Sequence, residues 1–123
     1  MKLSELFVQP GLGVISTVAS NGTVNSAIYA RPHLIDEKTM VWGMTDRRTY
    51  KNISETGHAA FLFKLDAPGY NGVRLALELI KIEKDGEMLA EIRKNADKIL
   101  GEGSGEHVIY AAWFKVTERR ELI

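Results

Sequence analysis

Between Leu12 and Arg31 the chain reads LGVISTVAS, then Asn21-Gly22, then a second apolar run from Val24. Asn-Gly between two such runs is the strongest short hairpin signal, because both central turn positions need positive φ. A chain that opens this way is directed toward antiparallel pairing, since parallel strands need long crossover connections. On the returning strand, Val24, Ser26, Ile28 and Ala30 share one face, and Asn25, Ala27, Tyr29 and Arg31 share the other. Pro32 has no N–H to donate, so pairing is expected to end or reach an edge there.

The rest of the chain repeats the pattern with few helical interruptions. Leu3 to Val8 reads as one or two helical turns stopped by Pro10-Gly11. Asp36-Glu37-Lys38 reads as a turn and Thr39 to Met44 as a strand. Thr45 or Asp46 then caps a short helix to about Thr56, and Gly57 supplies its left-handed end. In that helix Tyr50 and Ile53 are expected to face the core, leaving Arg47, Arg48 and Lys51 outside. His58 to Lys64 is an apolar strand, Asp66 to Gly72 a Gly/Pro-rich loop, and Arg74 to Glu83 a longer strand. Met88, Leu89, Ile92, Ala96, Ile99 and Leu100 recur at helical spacing, which predicts a helix over Glu87 to Leu100 ended by Gly101. After the glycine-rich GEGSGE, expected to be a flexible loop, alternation through Val108, Tyr110, Ala112, Phe114 and Val116 marks a last strand before the polar tail TERRELI.

The count is six strands with two or three short helices. The helical crossovers are too few for a parallel sheet. A mainly β, six-stranded antiparallel barrel with peripheral helices fits best, because closing the sheet removes its exposed edges. The 123 residues are expected to form one domain. Sixteen basic and sixteen acidic residues cancel, which argues against a general nucleic-acid binder. With no cysteine, disulfides, thiol catalysis and thiolate metal sites are excluded. No run approaches the roughly 20 apolar residues of a membrane span, and no signal peptide is evident, so a soluble cytoplasmic protein is expected.

Thr45-Asp46-Arg47-Arg48-Thr49 is the segment with the most chemistry. A helix start after a strand offers free N–H groups and the positive end of a dipole, and two arginines with a hydroxyl would add charge-assisted contacts to an anion. The same residues also suit a capped surface helix with solvated arginines. His33, His58 and His107 stand on different elements without metal-ligand spacing, so no metal site is expected. Tyr29, Trp42, Tyr110 and Trp113 could stack on a flat ring or belong to the core. No nucleophile, general base or paired carboxylates stand out, so any chemistry would come from a bound cofactor.

From Ala27 to Phe63 the order is a strand carrying AIYARP, an acidic turn DEK, then MVWGMT, then DRRTYKNI, then a short apolar strand. That order resembles the FMN-binding split-barrel family, the fold of pyridoxamine 5'-phosphate oxidase and of small flavin-binding proteins. More loosely, the likeness runs from Leu12 through Val116. It implies a homodimer with FMN at the subunit interface. Ala27, Ile28, Tyr29 and Ala30 match the strand along the flavin ring and ribityl chain; Trp42, Gly43, Met44 and Thr45 match the strand end beside the ring. Arg48 and Thr49 match the phosphate-binding pair, reinforced by Arg47 and Lys51. His107 and Tyr110 match roughly where a partner chain approaches. Ala27 replaces the arginine of the family's oxidases, and their substrate-binding C-terminal extension has no counterpart, which argues against oxidation of pyridoxamine phosphate. The resemblance therefore implies a flavin-dependent reductase or electron carrier of unknown substrate. Its alternatives are a non-catalytic flavin-binding or sensing module, or a barrel that holds deazaflavin or haem.

Overall fold

In the computed structural model, which describes all 123 residues, the first hairpin forms as expected. Strand β1 (Gly11–Val18) pairs antiparallel with β2 (Val24–Tyr29), with Val18 opposite Val24 and Gly13 opposite Tyr29. The turn differs from the two-residue form. Gly22 alone takes positive φ, at 89°, while the Asn21 side chain accepts the Thr23 N–H at 3.0 Å. An Asx contact thus does at Asn21 what a left-handed backbone was expected to do.

The chain continues through β3 (His33–Asp36), β4 (Thr39–Met44), α2 (Arg48–Thr56), β5 (His58–Leu65), β6 (Gly72–Glu83), α3 (Glu87–Leu100), a 3-10 turn (Ser104–His107) and β7 (Tyr110–Arg120). A short helix, α1 (Leu3–Leu6), precedes them. The sheet is antiparallel and ordered β2-β1-β5-β6-β7-β4-β3. It has seven strands, not the expected six. Pairing with β1 ends at Tyr29, before Arg31 and Pro32, but the chain crosses a gap and pairs His33 with Val41 on β4. The two outermost strands of the sheet are therefore neighbours in sequence, so the sheet curls toward closure as a split barrel. Trp42 Nε1 bridges the gap by donating to the Ala30 carbonyl at 2.9 Å, and Arg31, within the gap, donates to the Phe7 carbonyl beyond α1 at 2.8 Å. Two further boundaries move. GEGSGE contains a 3-10 turn, and the polar tail is part of β7, because Arg119 and Arg120 pair with Leu75 and Arg74 of the long β6.

The core joins Ile15, Met40, Trp42, Met44, Ile53, Phe61, Phe63, Leu75, Leu77 and Phe114. One end is closed by α1, whose Leu3 and Leu6 are buried together with the following Phe7. Helix α2 covers the other side, Ile53 buried and Asn52 Nδ2 donating to Thr17 Oγ1 at 3.1 Å, so its one buried amide is satisfied. No helix is long and apolar enough to cross a membrane.

The Asp36–Lys38 turn also anchors α1. Glu37 accepts the Leu3 and Ser4 N–H groups at 2.5 and 3.0 Å, supplying the donors of a short helix with a carboxylate. Desolvation pushes this carboxyl up, but the Ser4 and Leu3 amides outweigh it and hold the group below its ordinary 4.5. A depressed folded value means the contribution is fully present above that ordinary value and is lost as pH falls through the folded one. Thermal melts of Glu37→Gln should therefore lie below wild type at pH 7, and the gap should close in acid. A gap independent of pH would show that the carboxylate charge is not what matters.

Candidate functional site

Alternation along β4 divides its side chains between two environments. Met40, Trp42 and Met44 enter the core, while Val41 packs on the other face against Leu89 of α3 and Ala111 of β7. Gly43 is where α3 and the chain before β7 come nearest the strand. A Cβ there would lie 2.6 Å from both Ile92 Cγ2 and Val108 Cγ1, so only glycine lets them close in. Gly43→Val should cost about 1–3 kcal/mol by overpacking, and denaturant unfolding would measure it; a neutral result would mean α3 is free to move away.

Beside this contact a cavity of about 490 Å³ opens between the β2 end, β4 and α3. Of the residues expected at a cofactor, it brings together Ile28, Tyr29, Ala30, Trp42, Gly43 and Thr45. Ala27 lies on the core face of β2, and the Met44 side chain is 1% exposed within the core. Arg47, Arg48 and Thr49 lie outside the lining, just beyond its Thr45 end. Trp42 is 3% exposed, its indole packed 4.8 Å from Phe61 and 5.7 Å from Phe114. Sequence reading missed His33, Val41 and the α3 residues on the lining. The α3 stripe was visible, but a helical apolar stripe reads first as core packing.

The start of α2 also differs in detail from expectation. The N-cap is Arg47, extended at φ −132°, and no side chain caps the helix; neither Thr45 nor Asp46 does so. The first-turn N–H groups are thus left without a side-chain acceptor. Arg47 and Arg48 are exposed, and neither takes part in the ion pairs, which join Lys81, Lys115 and Arg120 to Glu83, Glu78 and Glu118. Thr49 is 6% exposed and sits beside the Tyr29 phenol. Burial pushes that phenol above its ordinary value while the Thr49 contact pulls it down, so Tyr29 stays a neutral hydroxyl near neutral pH. Tyr110 stacks on Tyr50 with ring centroids 3.8 Å apart, which ties the start of β7 to α2. The Tyr50 hydroxyl raises the Tyr110 phenol first, with desolvation and Asp46 adding to it. His107 is exposed on the 3-10 turn.

The structure thus sets a mostly apolar cavity, reaching Thr45, a few residues along the chain from an uncapped helix start with two exposed arginines. That suits a flat ring carrying an anionic tail. No cluster of His, Asp and Glu able to hold a metal ion is present.

No protein-family model and no curated protein matches the chain. Solved structures do. An FMN-binding protein from Syntrophomonas wolfei is 24% identical with a TM-score of 0.84, over 99% of this chain and 84% of that one. An F420 reductase is 19% identical with a TM-score of 0.70, over 95% and 94%. The heme storage protein HutZ from Vibrio cholerae is 12% identical with a TM-score of 0.69, over 98% and 95%. Identities this low speak to fold, and the fold they share is the one the sequence resembles: the chain has the split-barrel fold of the FMN-binding, pyridoxamine 5'-phosphate oxidase-like proteins.

Proposed function

We propose that this chain binds FMN as a homodimer and acts as a flavin-dependent reductase or electron carrier. The observation that carries the reading is the uncapped α2 start, with Arg47 and Arg48 unpaired, at the end of an apolar cavity. Flavin, when bound, supplies the exchange of hydride or single electrons. The chain's own residues bind and orient it. Arg48 and the Thr49 hydroxyl and amide hold the phosphate, with Arg47 and Lys51 in reserve. The main chain of Ile28 to Ala30 and of Trp42 to Thr45 would line the ring and ribityl chain. No side chain need move a proton.

The second copy of this proposal would sit on the first hairpin. On the outer sheet face Ile28 lies opposite Val14, which lies opposite Leu62. Ile28 and Leu62 are 75% and 39% exposed, the ends of an apolar row across three strands that a partner would cover. Because Ile28 also lines the cavity, a dimer there would complete the site. The test is an absorbance spectrum of the purified protein, FMN titration of any colourless fraction, and sedimentation. A colourless monomer that takes up no FMN sinks the reading.

A second reading, haem in the same cavity, is favoured by His33 on its wall, since imidazole is an iron ligand. Parallel titrations with FMN, deazaflavin and haem separate these ligands, and loss of a haem band in His33→Ala would support the second.

A further inference from the structure

The charges on α3 are distributed unevenly around it. The helix carries Glu87, Glu91, Arg93, Lys94, Asp97 and Lys98, and none of them lines the cavity; Ile92, Asn95, Ala96, Ile99 and Leu100 do. Two of the charges are engaged behind the helix. Arg93 Nε donates to the Val108 carbonyl at 2.6 Å, and Asp97 accepts the Gly105 N–H at 2.7 Å. Gly105 permits this close fit, since a Cβ there would lie 2.3 Å from the Arg93 carbonyl oxygen. The charged sides of α3 are thus turned away from the cavity, some against the 3-10 turn.

A stripe that served only the core would be buried to its end. Here Leu89 is 1% exposed, whereas Ile99 and Leu100, on the cavity wall, are 80% and 74% exposed. Across the cavity, Arg31 is the one lining residue with a permanent charge, and its guanidinium is held by the Phe7 carbonyl. His33 is the imidazole on the same wall. The α3 wall itself contributes no charged residue to the lining, and Arg47 and Arg48 lie beyond Thr45.

We infer that the α3 wall is a second subsite, for an uncharged, flat, apolar ring molecule lying beside the cofactor. Ile92, Ala96, Ile99 and Leu100 supply its contact surface, and Asn95 is the amide on that wall able to read a ring carbonyl. The inference rests on the cofactor site proposed along β2 and β4, and it names the class of substrate that meets the cofactor there. A nucleotide or phosphorylated substrate would leave its anionic groups unpaired against this wall.

The test uses 1,4-naphthoquinone and its 2-sulfonate as probes, in equilibrium dialysis against full-length protein with FMN bound. The chain has no cysteine for a quinone to modify. The parent compound should bind at least about tenfold more tightly than the sulfonate. Ile99→Lys, at an exposed position where folding is safe, and Ala96→Trp, which fills the wall, should each weaken the parent by about tenfold or more, with Lys94→Ala unchanged. FMN retention should hold in Ile99→Lys. Equal binding of both probes, no measurable binding of the parent, a wild-type affinity in Ile99→Lys, or FMN lost in parallel overturns the subsite. Wild-type protein that takes the naphthoquinone but not FMN overturns the cofactor reading and leaves the α3 wall as the ring's own site.

Discussion

Arg48→Ala with Thr49→Ala is expected to weaken FMN retention by roughly 100-fold, or about 3 kcal/mol, the scale of one or two lost charge-assisted hydrogen bonds. The reason is local. With no side chain capping α2, the first-turn amides depend on solvent or ligand, and Arg48 is exposed without an ion-pair partner to compete for it. Removing Arg48 therefore removes attraction for a phosphate without breaking a structural contact. Thr49 is different: it is buried beside Tyr29, so its replacement also disturbs the end of β2. The single Arg48→Ala should melt like wild type and still lose most of the effect. Its loss should shrink as salt rises, because an exposed charge is screened. Fluorescence titration of FMN at two ionic strengths measures both; an affinity within threefold of wild type would remove the phosphate role from this helix start.

The second large effect concerns stability. Phe61→Ala should cost about 3–5 kcal/mol and lower Tm by roughly 10–20 °C for a chain of this size. Phe61 is 1% exposed and forms a hub, with ring centroids 6.0, 4.8 and 6.3 Å from Phe7, Trp42 and Phe63. Those partners come from the segment after α1, from β4 and from β5, so one ring joins the end plug to two parts of the barrel. Gly13 makes room for it: a Cβ there would lie 2.6 Å from Phe61 Cζ. Because Trp42 also bridges the barrel gap to Ala30, loosening Phe61 should loosen the cavity edge. Calorimetry would test this; a Tm loss of only a few degrees would mean the core collapses around the void.

Much of this was legible in order along the chain. Alternation placed β1, β2, β4, β5 and much of β6, and Asn21-Gly22 placed the first hairpin. Helical spacing placed α2 and α3, including Gly57 at φ 73° as the C-terminal residue. What was missed shares one character. Pro32 reads locally as an end, yet the four residues after it become a strand because β4 offers an unpaired edge. The tail TERRELI reads as polar and free, yet it pairs because β6 is long enough to need a partner. Thr45 and Asp46 are good capping residues, but the chain leaves β4 on a path that makes Arg47 the cap.

The same division holds for the site. The sequence by itself determined a mainly antiparallel β chain and a basic helix start directly after a strand, since both follow from spacings of two to four residues. Only the tertiary structure decided that Trp42 faces inward, that Gly43 admits α3, and that Ile99 and Leu100 border the cavity rather than the core. Those outcomes depend on which residues from separate elements meet, and periodicity along one segment carries no information about the distance to another.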